Sequence, residues 1–106
     1  MFIKTLLERA EFRPDRMGKV TLAQGDFLLA GLNCFEPGQE HAAHAHAGQD
    51  KLYVVLEGTG AVRIGDETQT LSTGDAAFAP SGVVHSVRNT GAGRLMLLTV
   101  LAPPPK

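Results

Sequence analysis

A histidine-rich stretch, Gly38-Gln39-Glu40-His41-Ala42-Ala43-His44-Ala45-His46-Ala47-Gly48-Gln49-Asp50, is the most distinctive part of this chain. It contains three of the four histidines of the sequence, all within the six positions 41–46. Because successive side chains of a strand point to opposite faces, His44 and His46 are predicted to lie on one face. Two neutral imidazoles followed by Gln49 and Asp50 offer nitrogen and oxygen donors that suit one divalent transition metal. Zinc, iron, manganese, nickel and copper are all compatible with this set.

The fourth histidine, His85, lies in a second segment, residues 74–89, which contains glycine and proline at its turns. A His-x-His pair alone can also be a solvated strand edge, so the pair does not by itself establish a metal site. His85 is far enough along the chain for its strand to return beside the first segment. We therefore predict that the imidazoles of His44, His46 and His85 meet.

Short apolar or β-branched runs recur along the chain between glycine-containing turns. Outside the histidine stretch, we predict strands at residues 19–23, 27–35, 52–57, 61–64, 68–71, 76–79, 85–89 and 94–101. About nine strands with turns every eight to twelve residues, and no long amphipathic helix, indicate an all-β sandwich or barrel. The sequence contains no GxGxxG or GxxxxGK phosphate-binding pattern.

Length and composition restrict the class of protein further. We expect the 106 residues to form one domain, with an irregular segment at 1–18 and a proline-rich tail at 102–106 that projects or lies on a partner. The net charge of -1 and the pI of about 6.4 disfavour nucleic acid as a partner. A single cysteine, the absence of an apolar run of spanning length and the mixed charges near the start predict a cytoplasmic protein that does not bind membranes.

Two spaced motifs resemble those of the cupin superfamily, in particular small single-domain bacterial cupins of the conserved-barrel cupin 2 type. The first motif runs from Gly38 through five residues to His44-Ala45-His46 and on to the strand that ends at Gly58. The second runs from Gly74 through Pro80-Ser81-Gly82, then two residues to His85 and three more to Asn89. The resemblance implies an all-β fold, the cupin jelly-roll β-barrel or double-stranded β-helix, over the whole chain.

The resemblance also implies that His44, His46 and His85 are metal ligands. The fourth cupin ligand is usually a glutamate, and here the sequence departs from the pattern. Counting forward from His46 places Asp50 at that position, whereas counting back from Gly58 places Lys51 there, so we expect a bulge near Gly48 to absorb one residue. The order of residues also resembles cupins of the polyketide-cyclase kind, in which glutamine can ligate. We favour Gln49 over Asp50, because Gln49 shares strand parity with Tyr53 and Val55.

Several other residues have structural interpretations. His41 lies three positions before His44, so strand parity places it on the opposite face, as a rim or surface residue. Cys34 is predicted to be a buried strand residue, and Tyr53 and Phe78 are predicted to belong to the core.

Three classes of function are compatible with these motifs. The first is a metal-dependent enzyme, a dioxygenase or a cyclase or isomerase, that acts on a small organic molecule. The second is a non-catalytic module that binds or senses a small molecule in the same pocket, and the third is a metal-free structural barrel. Small size and an exposed edge strand predict a homodimer. The reaction and its catalytic residues do not follow from the sequence.

Overall fold

Nine β-strands and one 3₁₀ helix make up the secondary structure of residues 1–105, the part of the chain that this computed structural model describes. The helix is Leu6–Arg9, and the strands are β1 (Gly18–Gln24), β2 (Leu29–Phe35), β3 (Glu40–His44), β4 (Asp50–Glu57), β5 (Thr59–Ile64), β6 (Glu67–Ser72), β7 (Ala76–Ala79), β8 (His85–Arg88) and β9 (Leu95–Ala102). Within these described residues no helix is long and apolar enough to cross a membrane.

The strands form two antiparallel sheets. One sheet has five strands in the order β1-β2-β9-β4-β7, and the other has four in the order β3-β8-β5-β6. Strands distant in sequence are neighbours in both sheets, as in a jelly roll. The all-β jelly-roll prediction is confirmed, although the two sheets of residues 1–105 are not joined by hydrogen bonds into a closed barrel.

The core between the sheets is built by strand alternation. In β4, Tyr53 and Val55 are buried while Leu52 is 37% exposed, because odd-numbered residues face inward. Phe35 from β2 and Leu97 from β9 pack against them in one apolar cluster. Each fully buried side chain of this kind contributes roughly 1.5–3 kcal/mol of transfer free energy.

A second apolar cluster covers the outer face of the five-stranded sheet around β2 and β9. Leu32, Cys34 and Met96 are fully buried there, beneath Ala10 and Phe12 of the N-terminal segment. This covering explains why β2 and β9 are apolar on both faces. The prediction that Cys34 is a buried strand residue is confirmed, and burial raises the pKa of its thiol.

Some sequence predictions about exposure are wrong. Phe27 is 83% exposed and Leu28 is 43% exposed, because β2 begins only at Leu29 after the hairpin turn. Phe78 is 52% exposed, because it is paired with Leu52 on the outward parity of β4 and β7. In the tail, the Pro103 carbonyl accepts a hydrogen bond from the side chain of Gln49. Lys106 lies outside the described residues.

Candidate metal centre

His44 and His85 face each other across two paired strands. His44 ends β3 and His85 begins β8, and the two residues are register partners. Their ring centroids are 4.2 Å apart. His85 is 1% exposed, so this side of the histidine site is buried inside the molecule.

His46 reaches the same place from the connection after β3. It was predicted to share one strand with His44, but β3 ends at His44. The chain then turns, and the His46 carbonyl accepts hydrogen bonds from the backbone N–H groups of Gly82 (3.1 Å) and Gln49 (3.3 Å). These bonds place the His46 ring 4.8 Å from that of His44 and 5.4 Å from that of His85.

Two of the three imidazoles, His44 and His85, have the same nitrogen tied to a backbone carbonyl. Nδ1 of His44 lies 2.6 Å from the Ala42 carbonyl, and Nδ1 of His85 lies 3.0 Å from that of Val83. A carbonyl can only accept, so both Nδ1 atoms carry the proton and both Nε2 atoms present lone pairs. These Nε2 atoms are buried and have no hydrogen-bond partner among residues 1–105.

The donor set fits a metal ion. One ring nitrogen of each of His44, His46 and His85 lies within 4.8 Å of the others. Burial lowers the pKa of all three imidazoles, which keeps them neutral near pH 7, the form that ligates. Buried Nε2 lone pairs without partners are costly unless a ligand satisfies them. The three predicted histidines are therefore together and could hold a divalent cation.

The prediction that His41 lies on the face opposite His44 is wrong. The pairing of β3 with β8 shifts register between these two residues, so Ala42 and Ala43 occupy the space of a single partner residue. Such a bulge reverses the parity of the strand. The His41 ring consequently lies 4.2 Å from that of His44, and burial first, then the neighbouring His44, lowers the pKa of His41 to about 3.

Gln49 and Asp50 have different surroundings. Gln49 is half-buried just before β4, and its Nε2 donates to the Pro103 carbonyl at 3.0 Å. Asp50 is exposed, and its Oδ1 accepts from the backbone N–H of Ser81 at 2.9 Å. The bulge expected near Gly48 is instead a turn, with φ of +80° at this glycine. Register irregularities occur in β3 and near the end of β4.

Comparison with known proteins decides the family. The cupin domain pattern matches residues 31–101. The chain belongs to the cupin family. The crystal structure of the TT1209 protein from Thermus thermophilus is similar to this cupin, with a TM-score of 0.95 and 44% identity over 99% of this chain and 100% of that one.

Two further relatives carry names that mention oxalate. An oxalate-binding protein from Thermotoga maritima is 26% identical to this cupin over 91% of this chain and 92% of its own length. The crystal structure of a predicted oxalate decarboxylase from Thermotoga maritima has a TM-score of 0.77 and 26% identity, and the match covers 81% of this chain and 79% of that one.

A cavity of about 250 Å³ adjoins the histidines of this cupin. This cavity, here called the lysine cavity, has as its polar lining Lys19, Thr21, Asn33, His41, His46, Lys51 and Thr99. Lys51 is only 7% exposed, and its Nζ lies 4.9 Å above the centroid of the Tyr53 ring. Burial first, then the charge of Lys19, lowers the pKa of Lys51 to about 8.

Sequence reasoning placed no function on Lys51 or Asn33. Strand parity was sufficient to find Lys51, because it shares the inward face of β4 with Tyr53 and Val55. Asn33 was hidden within an apolar run, and only its pairing with Lys19 of β1 and Leu97 of β9 brings it to the cavity.

Proposed function

We propose that this cupin is a metal-dependent enzyme that acts on a small organic molecule, with one divalent transition metal bound by His44, His46 and His85. The observation that supports the proposal is the convergence of three imidazoles, two of which have Nδ1 tied to a carbonyl and Nε2 without a partner among the described residues. Three nitrogen ligands leave coordination positions for a weaker ligand and for a substrate. Zinc, iron, manganese, nickel and copper all suit this donor set.

Gln49 is the fourth ligand in this proposal. Its Nε2 donates to Pro103, so the carboxamide oxygen is the atom of the side chain that remains for a cation. Asp50 is exposed, and its carboxylate already accepts a hydrogen bond from the Ser81 backbone. A neutral amide leaves the full +2 charge of the metal at the site, which favours an anionic substrate.

The chain contributes a hydrogen-bond donor beside the histidines. The Tyr53 hydroxyl is buried and lacks a hydrogen-bond partner within residues 1–105, and its ring centroid lies 6.0 Å from that of His85. Burial raises the pKa of Tyr53, so the hydroxyl keeps its proton and can donate to a substrate oxygen. When bound, zinc would polarise a carbonyl for cyclase or isomerase chemistry, and a redox-active metal would permit dioxygenase chemistry.

A non-catalytic binding or sensing module is the second candidate. The residues described around the lysine cavity include no carboxylate that could act as a general base. The name of the Thermotoga maritima relative, an oxalate-binding protein, also describes binding. The two candidates share one metal pocket and differ in turnover.

Metal analysis of purified wild-type protein and of His85→Gln tests the proposal, with His41→Gln as the matched control. We expect about one metal ion per chain in the wild type and in the control, and less than about a tenth of this in His85→Gln, since buried ligands are individually required. His46→Gln, at a less buried position, repeats the test should His85→Gln fail to fold. Equal metal in wild type and both ligand variants would contradict the proposal.

Turnover of small organic acids by the metal-loaded protein then separates enzyme from binder. Dioxygen uptake with a redox-active metal indicates a dioxygenase, and product formation without dioxygen indicates a cyclase or isomerase. Saturable binding of these acids without product would establish the second candidate.

A further inference from the structure

We infer that the lysine cavity is a carboxylate-binding subsite, so that the molecule bound beside the histidines is a short organic acid. This inference rests on the proposed function and names its class of substrate. The carboxylate would bind to Lys51 and Asn33, and a second oxygen donor of the same molecule would face the histidines.

The first support is a buried cation without a counter-charge. Lys51 is 7% exposed, and the ion pair found among residues 1–105, between Arg94 and Glu36, does not include it. The described lining of the cavity contains a second lysine, Lys19, but no aspartate or glutamate. Burying an unpaired ammonium costs several kcal/mol, whereas a carboxylate bound in the cavity would compensate this charge.

The second support is an unused hydrogen-bond donor in the same cavity. Asn33 is 5% exposed, and its Nδ2 is buried with no partner among the described residues. An amide N–H in this state is costly, unless a ligand accepts its hydrogen bond. The Thr99 hydroxyl also lines the cavity, so ammonium, amide and hydroxyl donors converge on one volume. A carboxylate is the acceptor that matches such a donor set.

The third support is the position of the cavity relative to the histidines. His46, one of the three proposed ligands, lines the cavity, and so does His41, whose ring lies 4.2 Å from that of His44. The Tyr53 ring lies between the cavity and the histidines, with Lys51 Nζ at 4.9 Å and the centroid of the His85 ring at 6.0 Å from its centroid. The volume of about 250 Å³ lies below the roughly 300–1,000 Å³ of sites for drug-sized ligands, so the acid must be small.

The position of Lys51 departs from the cupin pattern. Counting back from Gly58, Lys51 occupies the place where the cupin pattern has an acidic ligand. An acidic residue there would compete with an anionic substrate for the metal. A lysine instead adds positive charge beside the metal site, which favours an anion over a neutral molecule.

Calorimetric titration of the Zn²⁺-loaded full chain with sodium oxalate tests the inference. The variants are Lys51→Met, which keeps the apolar stem, and Asn33→Leu, which keeps the branching of the side chain without its amide, and exposed Lys4→Met is the control. We expect oxalate affinity to fall at least about tenfold in Lys51→Met and about fivefold in Asn33→Leu, and to stay unchanged in Lys4→Met. The zinc content, measured after each titration, should be equal in all four proteins.

The outcomes separate the subsite from the proposed function. Unchanged oxalate affinity in both Lys51→Met and Asn33→Leu, with zinc retained, would overturn the subsite and leave the metal proposal intact. A wild type that takes up none of zinc, iron, manganese, nickel and copper would overturn the proposed function. In that case the same titration on metal-free protein decides the subsite: binding that depends on Lys51 supports it, and no binding overturns it.

Discussion

Backbone carbonyls determine which nitrogen each buried histidine presents. Because Ala42 and Val83 accept from the Nδ1 atoms of His44 and His85, the rings are held in the tautomer that leaves Nε2 available. Both carbonyls lie two residues before the histidine in the chain. The orientation is therefore a local property of each strand end and does not depend on a distant polar partner.

At the residue scale, replacement of Gln49 should affect the metal more than replacement of Asp50. We expect Gln49→Ala to lower metal affinity about tenfold and Asp50→Ala to lower it less, since Gln49 is half-buried and its backbone N–H donates to the His46 carbonyl, whereas Asp50 is exposed. Competition with a fluorescent chelator measures both affinities. Equal losses in the two variants would remove the preference for Gln49.

The lowered pKa of His41 predicts how metal-free protein responds to acid. The unfolded imidazole binds a proton below pH 6.5, whereas the folded one does so only at about pH 3, so between these values the unfolded state holds more protons. Stability therefore falls as the pH decreases from 6.5. Calorimetry of chelator-treated protein at pH 7.5 and pH 5 should show a lower Tm at pH 5. His41→Gln should lose less over this interval, and an equal loss would contradict the assignment.

At the element scale, two loops hold the proposed metal ligands in place. The backbone N–H of Gly48 donates to Ser81 Oγ at 2.7 Å, and the backbone N–H of Ser81 donates to Asp50 Oδ1 at 2.9 Å. The Gly82 N–H also donates to the His46 carbonyl. The loop after β3 and the loop before β8 are thus joined by polar contacts, which fixes His46 relative to His85.

The turn between β4 and β5 requires glycine at position 58. Its φ is +85°, and a Cβ there would collide with the carbonyl oxygen of Arg94. Gly58→Ala should cost at least about 1–3 kcal/mol and lower the Tm by more than about 4 °C in thermal unfolding. Gly93→Ala is the matched control, because a Cβ at Gly93 meets nothing within 4 Å. Equal Tm values for the two variants would contradict this explanation of Gly58.

At the scale of the whole molecule, the two sheets divide the interior into an apolar part and a polar part. Phe35, Val55 and Leu97 belong to the apolar cluster, which provides the rigid support that a preorganised site needs. Lys51 and Asn33 lie on the inward faces of the same strands as these residues. The inward-facing residues of a few strands therefore form the stabilising apolar cluster at one position and line the cavity at another.

The predicted homodimer has a candidate surface on the five-stranded sheet. Leu52 and Phe78 are cross-strand partners, 37% and 52% exposed, on its outer side at the β7 edge. We expect light scattering coupled to size exclusion to give twice the chain mass, and Phe78→Lys to shift the protein toward monomer. Phe27→Lys, at an exposed position in a turn, is the control. A monomeric wild type would contradict the prediction, and dissociation by both variants would exclude this surface.

Local patterns were sufficient for most of the fold, because turn residues and strand alternation are properties of neighbouring residues. The β5–β6 hairpin and the strand at Ala76–Ala79 were predicted nearly as they occur. The start of β2 was not, since the apolar residues Phe27 and Leu28 continue the strand pattern into an exposed turn. Phe78 was misplaced for a similar reason, because hydrophobicity does not reveal which face of a sheet is buried.

The sequence by itself determined the jelly-roll family and the identity of three converging histidines. The reason is that the residue spacing of the two motifs fixes the turns that precede these histidines. Only the tertiary structure decided where His41 points, since the bulge in β3 depends on pairing with β8. It also decided that Lys51 and Asn33 share one cavity, because their strands are joined only through β9. Periodicity is local, whereas the charge and the hydrogen-bond donors of a cavity come from strands distant in sequence.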